Sequence, residues 1–200
     1  MGRLPWRKNK VFAVETRPRL WAIGQMLEDP YVAFYDIFSR KPAEENVDLR
    51  KCGILFVCPV LRQFIGASNT VRLSLVPRKS IKVPKRWIDP HLPFWGADDQ
   101  MVVFKGTKHE RRITMWPGAR LIEKGRGRFS EDKEIVADLD EHDETLIDSH
   151  EVVNIRSYPE LNERLYLCYK LRKNVDPFKD MILRRPIPLI YKRYVDIAES

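Results

Sequence analysis

The chain has 200 residues, of which 44 % are hydrophobic and 10 % aromatic, enough to fill the core of one large domain without metal ions or disulfides. No apolar run approaches the roughly 20 residues of a membrane span, and no apolar segment follows the basic N-terminus as in a secretory signal. The net charge of +8 is spread along the chain, which favours a solvated basic surface over a dense nucleic-acid-binding cluster. The three cysteines are too few and too scattered for a disulfide framework, as is typical of a reducing cytoplasm. We therefore expect a cytoplasmic protein, and because it lacks an apolar span we expect no membrane contact.

The first 75 residues have the pattern of antiparallel strands joined by short turns. Apolar runs rich in β-branched and aromatic residues are punctuated by Pro and Asp at the spacing of hairpins, and they cover 11–14, 20–27 and 31–38. Gly24, inside the second run, predicts a bulge or a close crossing of the backbone. The continuous apolar run 54–60 predicts a central strand, and the alternation at 71–75 predicts a strand with one buried face.

The pattern becomes less regular after this point. Four prolines between positions 77 and 93 predict a loop or an edge strand, and the runs 101–106 and 111–118 predict a further strand pair. The C-terminal third has helical patterns at 159–171 and 186–197. We therefore expect a mainly β (α+β) fold, either a strongly bent antiparallel sheet or a partly open barrel, with a C-terminal helical annex.

The charge distribution divides the chain into three segments. Residues 1–130 have 25 Lys and Arg against 12 Asp and Glu, whereas residues 131–151 have one Lys against ten acids. Residues 152–200 are basic again, with 10 Lys and Arg against 6 Asp and Glu. From the strand pattern and this charge we expect a β-barrel-like domain over 7–130, an acidic loop over 131–151, and a helical annex over 152–200 packed on the same domain.

The acidic loop is either a solvated segment or a binding surface for a basic partner. Apolar residues lie among its acids and could anchor an interface, namely Ile135, Val136, Leu139, Leu146 and Ile147. Its carboxylates would speed the encounter with a cationic site by long-range attraction. We therefore predict partner-binding residues in this loop, namely Asp138, Asp140, Glu141, Asp143, Glu144 and Asp148.

No pattern of catalytic or metal-binding residues points to an enzyme. Nucleophile-elbow, zinc-ligand and phosphate-loop motifs are missing from the sequence, and we expect no cofactor, no metal and no catalysis. Two alternatives stay open. One is a site assembled from Asp36, His91 and His109, and the other is a cation held by the series Asp138-x-Asp140-x-His142 with Asp148 and His150.

Basic residues beside an aromatic one provide a further alternative. Lys85 and Arg86 precede Trp87, an arrangement that single-strand-binding proteins use for stacking and charge. The other interpretation is that Trp87, Trp95 and Trp116 fill a β-core whose outer face is basic.

The segment 10–38 resembles the opening of the bacterial polymorphic-toxin immunity proteins of family twenty-six. Members begin with a strand of the form DVFAIPL, followed by a strand with an aliphatic-Gly-Gln-hydrophobic motif and a strand that ends in an aromatic-Asp pair. The matching residues here are 11–14 (VFAV), 23–27 (IGQML) and 34–36 (FYD), and Lys10 replaces the acid that often precedes the first strand. The similarity is clear over about thirty residues and looser as far as Trp116.

This resemblance implies stoichiometric inhibition of a cognate protein toxin in the cytoplasm. Many such toxins are nucleases with cationic channels, which an acidic surface would complement. Tyr35 and Asp36, the aromatic-acid pair of the motif, join the predicted partner-binding residues. The alternative is a nucleic-acid-binding domain that uses the basic surface.

Overall fold

The computed structural model describes residues 4–42, 47–91, 99–115, 117–125, 130–140 and 142–199. The chain divides into two compact units. Unit 1 comprises 1–83 and 155–175, and unit 2 comprises 84–154 and 176–200. The fold is mainly β with short helices, as the sequence predicts, and the described strands form separate antiparallel sheets without a closed barrel.

Unit 1 is built on a five-stranded antiparallel sheet in the order β4-β3-β2-β1-β5. Its strands are β1 (Val11–Arg17), β2 (Leu20–Met26), β3 (Tyr31–Ser39), β4 (Ile54–Pro59) and β5 (Thr70–Arg72). The unit also contains two helices, α1 (Arg62–Ala67) and α3 (Glu160–Leu171). The turns at Pro18–Arg19 and Asp29–Pro30 connect the first three strands, so they form a meander as the Pro and Asp spacing indicates.

A row of aromatic residues crosses one face of this sheet. Phe12 pairs with Gly24, Gly24 with Phe34, and Phe34 with Phe56 in the register of four successive strands. A Cβ on Gly24 would lie 2.6 Å from Cζ of Phe12, well inside van der Waals contact. The sequence predicts a bulge or a close crossing of the backbone at Gly24. The pairing of β2 with β3 shifts register between Ala22 and Gly24, as the first alternative expects, and the atoms closest to the glycine belong to the Phe12 ring and not to another backbone.

Helix α3 packs against β1 and adds buried polar side chains to the core. Arg164 is fully buried, and its guanidinium lies 3.8 Å from the centre of the Phe56 ring. Its Nε donates to the Val175 carbonyl at 2.9 Å. Glu163 is buried as well and forms an ion pair with Arg17 of β1. The helix start matches the sequence prediction, but the burial of polar residues was not expected.

The position of β4 differs from the prediction. Its apolar run predicted a central strand, whereas β4 lies at the edge of the sheet next to β3. Side chains on both faces of β4 are nevertheless buried, namely those of Phe56, Val57 and Cys58. An edge strand with two buried faces has the same continuous apolar run as a central strand. A parallel bridge between Val60 and Arg156 follows the end of the strand.

Unit 2 contains two small antiparallel sheets. One has the order β10-β9-β6 and the other pairs β7 with β8. The strands are β6 (Arg86–Pro90), β7 (Gln100–Val103), β8 (Arg111–Thr114), β9 (Ala119–Glu123) and β10 (Lys133–Val136). The helices are α2 (Glu144–Ser149), α4 (Pro177–Ile182), a 3-10 turn (Leu189–Tyr191) and α5 (Lys192–Ala198). The predicted second C-terminal helix is thus a 3-10 turn followed by α5.

These units divide the chain at other positions than the segments 7–130, 131–151 and 152–200 expected from composition. The C-terminal region contributes α3 to unit 1 and α4 and α5 to unit 2. No disulfide joins Cys52, Cys58 and Cys168, all of which the structure describes, and Cys58 and Cys168 are buried. Among the described residues, no helix is long and apolar enough to span a membrane.

Candidate functional site

The acidic segment 131–151, expected from its charge to be a loop, contains a strand and a helix among its described residues. It contributes β10 to a sheet and forms α2. Leu139 and Ile147 are buried in a hydrophobic cluster of unit 2, and Ile135, Val136 and Leu146 pack against that cluster. The apolar residues that could have anchored a partner therefore anchor the segment to its own unit.

Asp138 and Glu144 are among the carboxylates of this segment that extend into solvent. The side chain of Asp138 is 85 % exposed, and its Oδ1 lies 3.6 Å from Nε2 of His91. Glu144 is exposed at the first position of α2, where a negative charge interacts favourably with the helix dipole. Both groups are available to a basic partner.

Asp140 and Asp143 have a second role in the turn before α2. The Asp140 carboxylate accepts a hydrogen bond from the His142 N–H at 2.9 Å. The Asp143 carboxylate accepts one from the Asp140 N–H at 3.3 Å. These hydrogen bonds hold the backbone of the turn. Replacing Asp140 or Asp143 would therefore change the conformation of the turn as well as remove a charge. Glu141, which lies between them, is outside the described residues.

Asp148, the last predicted acid of the segment, is paired with a cation of its own unit. Its Oδ1 lies 2.9 Å from a guanidinium nitrogen of Arg185, which is also 3.5 Å from Asp180. Burial raises the pKa of the Asp180 carboxyl to about 6, although Arg185 acts in the opposite direction. The charge of Asp148 is thus partly neutralised before any partner binds.

Lys179 holds the end of α2 in place and was not anticipated from the sequence. Its side chain is buried, and Nζ donates to the carbonyls of Ile147 at 2.7 Å and His150 at 3.0 Å. These carbonyls would otherwise lack partners at the helix end. A single lysine between Phe178 and Asp180 gives no sequence signal for such a role.

The motif residues of the resemblance form a network inside unit 1. Tyr35 is completely buried, and burial raises the pKa of its hydroxyl to about 12. The hydroxyl donates to Oε1 of Gln25 at 2.7 Å, and the same oxygen accepts the Arg78 N–H at 2.9 Å. Tyr35 is therefore placed in the core and has no surface to offer a partner, whereas Asp36 is exposed.

The remaining candidate residues are the acids and histidines that could hold a metal ion and the tryptophans beside basic residues. Within the described ranges, no group of three or more His, Cys, Asp or Glu residues is placed to hold a metal ion. Trp87 is fully buried and donates from Nε1 to the Pro84 carbonyl at 2.9 Å, so it fills the core as the second interpretation expected. Trp95 and Trp116 lie outside the described residues. His109 donates its backbone N–H to Thr107 Oγ1 at 3.1 Å.

The chain belongs to the family DUF8309, a domain of unknown function, whose model matches residues 1–185. No curated protein and no solved structure matches it. Membership therefore covers both units and leaves the function to be argued from the residues.

Proposed function

We propose that this protein is a cytoplasmic antidote that neutralises a cognate bacterial toxin, such as a nuclease with a cationic channel, by stoichiometric binding. The proposal starts from the resemblance of 10–38 to immunity proteins. Most of the motif residues of this segment lie in the core of unit 1. The Phe12 ring lies over Gly24, and the Tyr35 hydroxyl donates to Gln25.

The ordered acidic surface of unit 2 carries the proposal. Leu139 and Ile147 attach the segment to the unit-2 core, while Asp138 and Glu144 remain exposed. A surface that is already folded loses little conformational entropy when it binds. The segment therefore offers fixed negative charges to a partner.

Electrostatics predicts how this surface would act. Exposed carboxylates attract a basic partner at long range and raise the association rate, by about 10- to 1,000-fold in strongly steered pairs. We test steering at Asp138 and Glu144. The other described candidates have further contacts, because Asp140 and Asp143 hold the turn before α2 and Asp148 is paired with Arg185.

The experiment co-expresses the chain with the product of the reading frame adjacent to its gene. We expect protection of the cells and a one-to-one complex in gel filtration. The variant Asp138→Lys/Glu144→Lys should lower the association rate roughly tenfold at low ionic strength, and this difference should shrink in high salt as the charges are screened. No complex and no protection would contradict the antidote proposal.

The control for net charge is Glu28→Lys/Glu199→Lys, which changes the charge equally at two exposed acids outside the segment, each of them paired with a basic residue. It should leave the association rate within about twofold, because steering depends on charges close to the interface. Equal slowing in both variants would remove the acidic segment from the mechanism and leave only an effect of net charge.

A nucleic-acid-binding domain is the second candidate, and one observation favours it. Unit 1 has 20 Lys and Arg against 9 Asp and Glu, a net charge of +11. Binding of that kind loses affinity log-linearly with salt because counterions are released. A complex that survives gel filtration at high salt would favour the antidote.

A further inference from the structure

We propose that a basic cleft in unit 1 is a binding site for phosphate groups. The cleft has a volume of about 390 Å³ and is lined by residues 7–11 on one side and 72–75 on the other. It shares no residue with the acidic segment on which the antidote proposal rests, so each proposal can fail without the other.

Backbone hydrogen bonds define the two walls of this cleft. The Leu73 N–H donates to the Val11 carbonyl at 3.0 Å and joins the walls. On the other side of the segment, the Asn9 N–H donates to the Met26 carbonyl at 2.7 Å, and the Lys10 carbonyl accepts from the Met26 N–H at 2.9 Å. The side chains of the cleft therefore project from a backbone that is held by the sheet.

The lining contains four cations and no carboxylate, namely Arg7, Lys8, Lys10 and Arg72. Lys8 is paired with Glu28 at 2.7 Å. Within the ranges that the structure describes, no carboxylate forms an ion pair with the other three. Burial, together with the nearby charges of Arg72 and Arg7, lowers the pKa of the Lys10 ammonium, as expected for cations that repel one another.

A bound phosphate would neutralise this excess charge. The guanidinium groups of Arg7 and Arg72 offer paired donors that match phosphate oxygens, and the Lys10 ammonium adds a third charge. Ser74 also lines the cleft, and its hydroxyl can donate a further hydrogen bond. This donor set fits a phosphate dianion or a phosphodiester.

The phosphate could belong to a small molecule or to a nucleic-acid strand. Trp6, directly before Arg7 in the chain, lines a neighbouring cavity of about 490 Å³ together with Leu4 and Ile65. An indole beside cations is a surface on which a base can stack. We therefore use one probe with bases and one without.

The experiment measures binding of inorganic pyrophosphate by calorimetry and of a fluorescently labelled oligothymidylate by anisotropy. In the variant Arg7→Glu/Arg72→Glu, affinity for the bound probe should fall at least tenfold. The control Lys51→Glu/Lys173→Glu has the same net charge and reverses two exposed lysines outside the cleft, and it should stay within about threefold. Circular dichroism and urea unfolding check that both variants fold.

If both probes bind and pyrophosphate displaces the oligonucleotide, phosphate groups alone are sufficient for binding to the cleft. Tight binding of the oligonucleotide alone, with log affinity falling against log salt at a slope of about −2 for three contacted phosphates, identifies a nucleic-acid strand. The proposal is overturned if the wild-type protein binds neither probe, or if the cleft variant and its control lose affinity equally.

Discussion

The two units of this chain differ in both charge and core. Unit 1 has a net charge of +11, whereas unit 2 has 16 Lys and Arg against 19 Asp and Glu, a net charge of −3. The total of +8 therefore hides a basic unit and a slightly acidic one. The sequence asymmetry placed the change at residue 131, but unit 2 begins at Pro84 and also includes basic strands.

Buried polar groups play different parts in these units. In unit 1, Gln25 connects Tyr35 of the neighbouring strand to the backbone of Arg78, so it fixes a distant segment against the sheet. In unit 2, Lys179 binds the last carbonyls of the acidic helix. The polar contacts in unit 1 thus attach the segment around Arg78 to the sheet. Those in unit 2 hold helix α2 of the acidic segment in place.

The largest expected effect is in unit 1 at Gly24→Ala. The added Cβ would lie 2.6 Å from the Phe12 ring, which is fully buried and cannot withdraw. Overpacking of this kind costs about 1–3 kcal/mol, and we expect the upper end of that range. Urea unfolding gives the loss, and hydrogen exchange should show it in β1 and β2 while β6 and β9 retain their protection.

Gly53→Ala is the matched control in the same unit. Its nearest neighbour would be Cβ of Asp36 at 4.0 Å, an ordinary contact, so stability should change little. A combined Gly24→Ala/Phe12→Leu variant should recover part of the loss, since it removes the ring that the new methyl meets. If Gly24→Ala were as stable as Gly53→Ala, the close contact would be unimportant.

The next effect is in unit 2, at Lys179→Met. This change leaves the carbonyls of Ile147 and His150 without their donor, at a cost of about 2–3 kcal/mol. The amides of α2 should exchange faster, while those of α3 in unit 1 should be unaffected. Lys192→Met, at a half-exposed lysine of the same unit, is the control and should have a much smaller effect. Equal protection of α2 in wild type and Lys179→Met would show that the cap is dispensable.

Much of unit 1 was predictable because its signals are local. Apolar runs, turn residues and Gly24 placed β1, β2 and β3 close to their observed bounds. The edge position of β4 was not predictable from its apolar run, since burial on both faces gives the same pattern in a central and an edge strand. Strand β9 and helix α4 were missed, and both supply residues to the unit-2 core, namely Leu121 and Ile182.

The candidate site was less predictable than the fold. Concentrated charge located the acids, but the same charge suggested a loop and concealed β10 and α2. The role of Leu139 as an internal anchor depends on tertiary packing, and no local pattern separates an interface residue from a core residue. The basic cleft likewise depends on pairing of β1 with β5, which brings Arg72 beside the N-terminal segment.

A third prediction concerns the pH dependence of unit 2. The Asp180 carboxyl has its pKa raised to about 6 by burial, so the folded state holds a proton that the unfolded state has released above about pH 4. Its contribution is fully present below pH 4 and is lost as the pH rises through 6, a change of about 2–3 kcal/mol. Urea midpoints measured from pH 4 to pH 7 should fall in the wild type and flatten in Asp180→Asn. A variant that keeps the full slope would assign the titration to another group.

The smallest effect is expected at the exposed ion pair of Lys8 and Glu28 in unit 1. Comparing this pair with Asp180 shows how much more a buried charge affects stability than an exposed one. The Lys8 ammonium, 2.7 Å away, lowers the pKa of the Glu28 carboxyl, opposite in direction to the shift at Asp180. Stability from this pair would be present above the usual glutamate range and lost as pH falls, but solvent screens both groups. Glu28→Gln should therefore leave the urea midpoint unchanged. Carboxyl NMR should show the pKa of Glu28 returning to its usual value in Lys8→Ala. A clear loss of stability in Glu28→Gln would instead mean that Glu28 restrains the basic cleft, whose wall includes Lys8.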